Sequence, residues 1–419
     1  MIALMTPVPD LAERVRALPA AAPVATALPH AWVVGGAVRD LLLGGGKTVV
    51  DLDLVIEVDA VAAAERLAAA VDGSSIVHDR FGTATVEAGG HVYDLATARA
   101  ESYARPGALP DVRTGTLEED LLRRDFTVNA IAVSFDGRVC SAPHAFEDLE
   151  ARELRVLHER SFLDDPTRLL RLVRYATRLR FAVEPSTAAL ADAAVEGGAL
   201  ATVTPTRIGA ELRLLLREPS AVEALAWVAR WPLGVQLAFD ASLARRALGL
   251  LPRDGRAEPA DGRAEPVDGR AKPADGRADL LLLGSACRAV EPAALAAWLD
   301  ALGFPARERD IVVRVAQADG IERRLAGAER PSEIAAVARG VPAEAVALAG
   351  ALGAEAQACA WLEDLRHVRL DIDGTDLLAA GIPQGAAVGR ALAAALDARL
   401  DGAAPDRDAQ LAVALAAAR

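Results

Sequence analysis

Residues 32–57 read WVVGGAVRDLLLGGGKTVVDLDLVIE and join a glycine turn to two aspartates on one predicted strand. The valines before Gly35 predict a buried strand, and Gly35 with Gly36 predicts a tight turn into a short helix. Glycine leaves the backbone N–H groups of such a helix N-terminus uncovered, which suits a phosphate. Asp51 and Asp53 lie two residues apart in a run of strand-forming residues, so their carboxylates project from one face. Two carboxylates beside a phosphate cradle predict a Mg²⁺ site suited to nucleotidyl transfer.

Each half of this pattern also has an ordinary structural explanation. A glycine pair often only turns the chain, and this one lacks the third glycine of a dinucleotide-binding turn. Two alternating aspartates on a strand often mark a solvated sheet edge. Here, however, Asp51 and Asp53 interrupt an apolar run, where an unpaired carboxylate is costly. The turn, the helix and the carboxylates together therefore favour the functional interpretation.

Length and composition predict a largely helical protein of two to four compact units. The chain has 419 residues, of which 52% are hydrophobic and 4% are aromatic, and Ala and Leu dominate. We find no apolar run of membrane-spanning length and no signal-peptide layout. On that ground we expect no membrane partner. Three cysteines lie far apart, so we also expect a cytoplasmic protein without a zinc cluster.

Charge is distributed unevenly along the chain. The formal net charge of −13 argues at first against a nucleic-acid partner. Residues 152–180 nevertheless carry eight arginines against four acidic residues. An acidic protein with one such basic segment can still bind RNA at that segment.

Periodicity predicts an N-terminal mixed domain and a helical remainder. The residues before His30 predict one or two short helices, and residues 31–156 alternate strands with helices. A polar loop is predicted at residues 99–115. After Leu163 the whole pattern predicts helices, one of which begins at Pro205 behind a threonine cap. The predicted strands have the sequences WVV, VVDLDLVIE, SSIVH, TATVEA, HVYDLA and NAIAVSF. The predicted fold class is α+β.

Residues 254–279 repeat with a sevenfold period, DGRAEPA DGRAEPV DGRAKPA DGRAD. A coiled coil is excluded because every unit contains a glycine and most contain a proline. The composition predicts a disordered linker inside the helical part of the chain.

A second polar cluster lies in residues 117–133, LEEDLLRRDFTVNAIAV. Arg123 and Arg124 could simply complement the dipole at the end of a helix. That explanation leaves out Asn129, which we place in a buried strand, where its amide needs hydrogen-bond partners.

A third cluster lies in residues 163–181, LDDPTRLLRLVRYATRLRF. Asp165 is predicted to cap a helix that begins at Pro166. The arginines that follow are spaced three and four residues apart, so they form one stripe: Arg168, Arg171, Arg174 and Arg178. A solvated stripe is the ordinary explanation, but four like charges repel one another, and an anionic ligand would compensate them.

These motifs resemble, in their order, those of the class II tRNA nucleotidyltransferase and bacterial poly(A) polymerase family. The resemblance rests on VVGGAVRD with DLD, RRDFTVNAIA and DDPTRLLRLVRYATRLRF, and it covers residues 32–217. A tail segment at residues 372–392 is similar to that of many bacterial members. The resemblance implies a mixed α/β nucleotidyltransferase head (palm) with an N-terminal helical extension at 1–156, a helical neck at 157–217, a helical body interrupted by the repeat at 218–366, and a helical tail that contacts tRNA at 367–419.

The resemblance also implies roles for individual residues. Asp51 and Asp53 would be catalytic and would hold Mg²⁺. The nucleotide-binding residues would be Gly35, Gly36, Arg39, Asp40, Arg124, Asp125, Asn129, Asp165, Arg168, Arg171 and Arg174. Of these, the first three would bind the triphosphate, Asp40 would brace their helix, and the next three would position the ribose and the reacting groups. Asp165 and Arg168 would read the base, and Arg171 and Arg174 would support the base and the phosphates.

Base reading by a carboxylate and a guanidinium has a physical basis. Cytosine and adenine both present an amino donor beside a ring-nitrogen acceptor, and an Asp165–Arg168 pair presents the complement. Uracil and guanine present the reverse pattern and would leave buried polar groups unpaired. Such a pair could accept CTP and ATP without a template.

The implied activity is addition or repair of the 3′-terminal CCA of tRNA from CTP and ATP. Alternatives within the family are an A-adding enzyme, a CC-adding enzyme and a poly(A) polymerase, and the segment 99–115 argues against CC addition alone. A non-catalytic RNA-binding protein and a dinucleotide-binding oxidoreductase are alternatives from other classes. The motifs do not specify the oligomeric state.

Overall fold

A computed structural model describes residues 11–44, 51–78, 82–252 and 276–418. The chain divides into two compact units, Met1–Ile208 and Gly209–Arg419. The first unit contains a mixed sheet, and the described residues of the second unit form helices without strands. The α+β class, with the sheet in the N-terminal part, is therefore confirmed. The finer division into head, neck, body and tail stays a prediction.

A seven-stranded sheet organises the first unit. The strands of this unit are β1 (Trp32–Val34), β2 (Asp51–Ile56), β3 (Ser74–His78), β4 (Thr83–Ala88), β5 (His91–Thr97), β6 (Arg99–Ser102), β7 (Asp111–Thr114), β8 (Ile131–Ser134), β9 (Val139–Ser141), β10 (Glu153–Leu154) and β11 (Ala182–Val183). The order in the large sheet is β3-β4-β5-β2-β1-β8-β9. Its neighbours pair antiparallel except for β2 and β5, which are parallel. The strands predicted from WVV, SSIVH, TATVEA and HVYDLA are confirmed.

The described residues of the first unit also form α-helices. They are α1 (Leu11–Arg16), α2 (Ala21–Ala27), α3 (Gly36–Leu42), α4 (Ala60–Val71), α5 (Leu117–Leu122), α6 (Ala145–Ala151), α7 (Ser161–Asp164), α8 (Thr167–Leu179) and α9 (Pro185–Glu196). The caps explain where several of them begin. The Asp59 carboxylate accepts from the N–H of Val61 at 2.9 Å at the start of α4. Thr116 and Glu119 form a capping box at the start of α5.

The prediction of a loop throughout residues 99–115 is wrong. Strands β6 and β7 pair antiparallel there, and only their connection is irregular. The polar side chains that suggested a loop are held by ion pairs. Glu101 Oε1 accepts from Arg99 Nε at 3.1 Å and from Arg123 Nη1 at 3.0 Å. Charged residues can occupy a short hairpin when each finds a partner.

Two smaller predictions are also corrected. Asn129 does not lie in a strand, because Thr127–Asn129 is a turn of 3₁₀ helix and β8 begins at Ile131. The chain after Leu163 is not helical throughout, because β11 pairs in parallel with β10. Backbone hydrogen bonds fix this pairing, and side-chain periodicity does not report on them.

The second unit is built from helices, and α10 (Pro205–Leu216) contains the division between the units. The start of α10 at Pro205 is as predicted. The later helices are α11 (Ala221–Val228), α12 (Ala241–Leu250), α13 (Ala278–Ala286), α14 (Pro292–Ala301), α15 (Ala306–Ala316), α16 (Ala318–Ala326), α17 (Pro331–Ala338), α18 (Ala343–Ala349), α19 (Glu355–Cys359), α20 (Gly374–Ala379), α21 (Ala386–Leu400) and α22 (Arg407–Ala417). A separate apolar cluster packs among residues 370–418.

Most of the repeat at residues 254–279 lies outside the described residues. Its last two residues contradict the prediction of disorder, because α13 begins at Ala278. Arg277 Nη2 contacts Asp279 Oδ2 at 2.6 Å, and the Arg277 N–H donates to Glu344 Oε1 at 2.7 Å. These contacts order the end of the repeat where it enters the helical unit.

Ala343–His367 is a helical run of 25 residues that is long and apolar enough to cross a membrane by length and composition alone. The expectation that the chain has no apolar run of this length is therefore wrong. About 56% of its most apolar window is buried within the protein, and residues such as Val346 and Leu348 belong to the core of the second unit. A core helix passes the same test of length and composition.

Candidate functional site

Asp51 and Asp53 project from one face of β2. Both are exposed, whereas Leu52 and Leu54 between and after them are buried. The alternation predicted from the sequence is therefore confirmed. Because the strand is held by β1 on one side and β5 on the other, the two carboxylates have a rigid support.

Asp94 on β5 is a third carboxylate that sequence reasoning missed. The parallel register pairs Asp53 with Asp94, so their side chains leave adjacent strands on the same face. Thr85 Oγ1 donates to Asp94 Oδ1 at 2.6 Å and orients this carboxylate. The signal in the sequence is an aspartate inside the strand-forming run HVYDLAT, but only the pairing register places it beside Asp53.

The Asp53 carboxylate lies in a cavity of about 350 Å³ that Asp94 and Arg124 also line. Although the residue is exposed, the walls of this cavity replace part of its hydration, and that desolvation raises the pKa of Asp53. The negative charges of Asp94 and Asp51 raise this pKa further, while Arg124 and Arg171 oppose the rise. A cation bound between these carboxylates would relieve the repulsion.

The donor set fits Mg²⁺ as a partial site. Within the described residues, no group of three His, Cys, Asp or Glu side chains can enclose a metal ion. Mg²⁺ does not need such a group, since it is usually held by one or two carboxylates together with waters and substrate phosphates. Asp53 on β2 and Asp94 on β5 both line the cavity, and carboxylate oxygens are the hard ligands that Mg²⁺ prefers.

Gly35, at the start of α3, lies close to the Asp53 carboxylate. Its φ of +72° disfavours any side chain. A Cβ at this position would lie 3.1 Å from Arg124 Nη1 and 3.3 Å from Asp53 Oδ2. Helix α3 then begins at Gly36. Glycine at position 35 therefore keeps open the space between the turn and the carboxylates.

Gly35→Ala is expected to lower the free energy of unfolding by about 1–3 kcal/mol through backbone strain and to weaken Mg²⁺-dependent binding of nucleoside triphosphate. Urea denaturation and equilibrium binding would measure the two effects. Gly44→Ala is the matched control, because Gly44 has a φ of +88° but nothing within 4 Å of the added Cβ. Equal losses of nucleotide binding in both variants would contradict a specific role for the space at Gly35.

A buried hydrogen-bond chain connects residues that are far apart in sequence. Arg39, which is 1% exposed, donates through Nη1 to Asn129 Oδ1 at 2.6 Å. Asn129 Nδ2 donates to Asp125 Oδ1 at 2.9 Å, and Arg171 Nη2 donates to Asp125 Oδ2 at 2.6 Å. Asp40 contacts Arg39 Nη2 at 2.7 Å, which agrees with a bracing role. Five predicted site residues thus form one continuous network.

Asp125 is a buried carboxylate whose negative charge is stabilised by its neighbours in this network. Burial alone would raise its pKa, but the Arg171 guanidinium and the Asn129 amide outweigh burial, with help from Arg168, and lower the pKa to about 2. Asp125 also accepts from the N–H of Phe126 at 2.8 Å. The carboxylate is therefore ionised and fixed, and it holds Arg171 and Asn129 in place.

Arg124, the residue before Asp125, lines the cavity that contains Asp53. Its Nη2 donates to Asp120 Oδ2 at 3.0 Å. Its Nε is buried and has no hydrogen-bond partner within the described residues. Arg124 is thus a cation held beside the carboxylates, with one buried donor that a ligand could satisfy.

Asp165 and Arg168 occupy the start of α8. The helix begins at Thr167, so Asp165 is not the flanking residue that was predicted, although its Oδ1 still accepts from the Thr167 N–H at 3.1 Å. Arg168 is only 5% exposed. Its Nη1 donates to Ser161 Oγ at 2.7 Å and its Nη2 to the Arg123 carbonyl at 2.6 Å. A base would have to use the remaining hydrogens of this guanidinium.

The arginines of α8 do not form a solvated stripe. Arg168 and Arg174 are buried, and Arg171 is paired with Asp125. The Tyr175 ring is surrounded by guanidinium groups, whose distances to its centroid are 5.4 Å for Arg39, 5.6 Å for Arg171, 5.0 Å for Arg174 and 5.4 Å for Arg178. Four guanidinium groups therefore lie around a single aromatic ring.

Two cavities of the first unit meet at Arg123. The first contains Asp53, Asp94 and Arg124, and the second, of about 480 Å³, is lined by Tyr103, Asp164 and Arg168 among others. Arg123 lines both. The carboxylate face and Arg168 thus open into adjoining cavities.

Asp165 does not line either cavity. A residue that contacts it, Arg207, was also missed by sequence reasoning.

Parts of this chain are similar in sequence to known proteins. Residues 31–155 match the poly A polymerase head domain family. The chain is 42% identical over 240 residues to an A-adding tRNA nucleotidyltransferase of Halalkalibacterium halodurans, covering 54% of this chain and 55% of that protein. It is 41% identical over 210 residues to a CC-adding tRNA nucleotidyltransferase of Deinococcus radiodurans, covering 49% of this chain and 54% of that protein. The chain spans about half the length of these two curated relatives.

The whole fold also resembles solved structures. A CCA-adding enzyme in complex with CTP superposes with a TM-score of 0.76 at 25% identity, covering 99% of both chains. The similarity therefore extends through both units as a fold, while the match to the head-domain family lies within the first unit.

Proposed function

We propose that this chain, which belongs to the class II tRNA nucleotidyltransferase and bacterial poly(A) polymerase family, adds or repairs the 3′-terminal CCA of tRNA. It would use CTP and ATP without a template and release pyrophosphate. The observation that carries the proposal is that the carboxylates of β2 and β5 adjoin, through Arg123, the cavity that contains Arg168. Transfer chemistry and a base-reading side chain lie together in one compact unit.

Mg²⁺ is the proposed cofactor, and Asp51 and Asp53 would hold it, with Asp94 beside them. When bound, two metal ions would activate the primer 3′-hydroxyl and neutralise charge on the leaving pyrophosphate. The raised pKa of Asp53 supports this assignment, because a carboxylate that is destabilised when charged gains most from a nearby cation. The open space at Gly35 supports it further.

The protein's own groups would position the nucleotide. The uncovered turn at Gly35 and Gly36 and the Arg39 guanidinium would bind the triphosphate, and Asp40, which contacts Arg39, would brace their helix. Arg124, with its unsatisfied buried Nε, would bind an anionic or carbonyl oxygen near the carboxylates.

The Asp125 network would fix the position of the ribose and the base. Asp125 holds Asn129 and Arg171, and Arg174 lies against the same Tyr175 ring as Arg171. These contacts hold the groups in position before a ligand binds, which would lower the cost of ordering the substrate.

Asp165 and Arg168 would read the pairing edge. The carboxylate would accept from the amino group of cytosine or adenine, and the guanidinium would donate to the adjacent ring nitrogen. The fixed position of Arg168 between Ser161 and the Arg123 carbonyl supports this role, because a rigid reader discriminates better than a mobile one.

A-only addition is the second candidate product, because an A-adding enzyme is among the relatives that the chain resembles. The CC-adding relative is similar at nearly the same identity, so identity does not separate the products. Poly(A) synthesis differs from all three in having no length limit.

The body and the tail would hold the tRNA through its phosphates and shape, and the cytoplasm is the proposed compartment.

Product length is the decisive measurement. tRNA transcripts that lack the terminus, end after one C or end after CC would each be incubated with CTP, ATP or both. CCA addition predicts completion of every substrate and no further extension. An enzyme limited to A would extend only the CC-ended transcript, one limited to CC would stop before A, and a poly(A) polymerase would continue past one A. Nucleotide binding without any extension would contradict the proposed activity.

A further inference from the structure

Arg207, the third residue of α10, joins three parts of the first unit. Its Nη2 donates to Asp165 Oδ1 at 2.8 Å, and its Nη1 donates to the Gly107 carbonyl at 3.3 Å. Gly107 belongs to the connection between β6 and β7, and its own N–H donates to the Leu163 carbonyl at 3.0 Å. One guanidinium therefore bridges the hairpin connection and the start of α8.

The hairpin connection approaches this region so closely that only glycine fits. Gly107 has a φ of +68°, and an added Cβ would lie 2.2 Å from Thr202 Oγ1 and 2.6 Å from the Thr202 carbonyl oxygen. Tyr103, the first residue of the same connection, donates to Glu101 Oε2 at 2.9 Å. The position of the Gly107 carbonyl, which Arg207 contacts, is thus fixed by backbone packing.

The contacts on Asp165 fall on one oxygen. Oδ1 accepts from the Thr167 N–H at 3.1 Å, from Thr167 Oγ1 at 2.6 Å and from Arg207 Nη2 at 2.8 Å. Within the described part of the chain, Oδ2 takes no such contact. A carboxylate held by three donors on one oxygen cannot rotate without losing them, so the direction of Oδ2 is fixed.

We propose that Arg207 is a positioning residue that determines base specificity. It holds Oδ1 of Asp165 so that Oδ2 accepts from the amino group of cytosine or adenine. Arg207 itself does not contact the base. This inference rests on the proposed function, because it takes Asp165 to be a base-reading residue.

Arginine is required for this bridge by its shape. The guanidinium places two donors in a rigid fork, so it can reach the Gly107 carbonyl and the Asp165 carboxylate together. A lysine would keep the positive charge near Asp165 but would present a single flexible ammonium. Charge alone and the fixed fork can therefore be separated by mutation.

The test uses Arg207→Gln and Arg207→Lys in the full chain, with Arg213→Lys as the matched control. Arg213 lies on the same helix and donates instead to the Gly303 carbonyl. Relative kcat/KM for CTP and UTP, and equilibrium binding of both nucleotides, would be measured on each protein. We expect the CTP preference to fall about tenfold or more in Arg207→Gln, less in Arg207→Lys, and not in Arg213→Lys.

Thr167→Val gives a second, independent variant. It removes the hydroxyl donor at 2.6 Å from the same Oδ1 and keeps the backbone donor. A smaller fall in CTP preference, in the same direction, is expected. A folded Arg207→Gln protein with unchanged preference would overturn the proposal, as would an equal loss for CTP and UTP.

Failure of the proposed function would look different. A wild-type protein that bound CTP over UTP but extended no tRNA would exclude the transferase activity. The binding preference of the Arg207 variants would then still decide whether Arg207 positions Asp165.

Discussion

Asp53→Asn is expected to lower kcat for nucleotide incorporation by about 10³-fold or more. Metal-based stabilisation of the transferring phosphoryl group is worth several kcal/mol, and about 1.4 kcal/mol corresponds to a factor of ten in rate. The amide keeps the size of the side chain but removes the charge that would hold the cation. Single-turnover incorporation of labelled CTP into tRNA lacking its terminus would measure the loss.

Stability separates this effect from unfolding. Desolvation, together with Asp94 and Asp51, raises the pKa of Asp53, so its ionised form is destabilised in the folded protein. Removing the charge should therefore leave the melting temperature unchanged or raise it at neutral pH. Glu65→Gln on the exposed side of α4 is the control for loss of one negative charge. Full activity of Asp53→Asn would exclude the metal assignment.

Asp125→Asn is expected to flatten the dependence of stability on pH between about pH 4 and pH 2. An aspartate carboxyl ordinarily has a pKa of 3.8, whereas in the folded protein the pKa of Asp125 is lowered to about 2. Its contribution to stability is therefore present above pH 4 and is lost as the pH falls through 2. The difference corresponds to about 2 kcal/mol of unfolding free energy. Urea denaturation of both proteins at several pH values would measure it. At neutral pH the variant should be less stable by a similar amount, because Arg171 loses its charged partner.

Glu184→Gln is the control for this pH range. Glu184 also has a pKa lowered to about 2, because hydrogen bonds from Ser186 and Thr187 outweigh its burial, but it lies outside the proposed site. Both variants should therefore flatten the acid limb, whereas only Asp125→Asn should raise KM for the nucleotide. Identical effects on KM would show that the Asp125 network has no role in substrate binding.

Local pattern was sufficient for much of the site. The alternation of Asp51 and Asp53 with buried leucines follows from the period of a strand, and the glycine turn follows from the dipeptide itself. Both are decided by neighbours in the chain, so the sequence contains the information. The hairpin at β6 and β7 was missed because Glu101 of β6 forms an ion pair with Arg123, which lies 22 residues away in the sequence.

The sequence by itself determined the fold class, the carboxylate face of β2 and the segments that carry the arginines. Only the tertiary structure decided that Asp94 stands beside Asp53, that Asn129 links Arg39 to Asp125, and that Arg207 holds Asp165. The physical reason is the range of the interactions involved. Strand and helix periods repeat over a few residues, whereas strand register, desolvation and charge pairing depend on groups that folding brings together from distant positions.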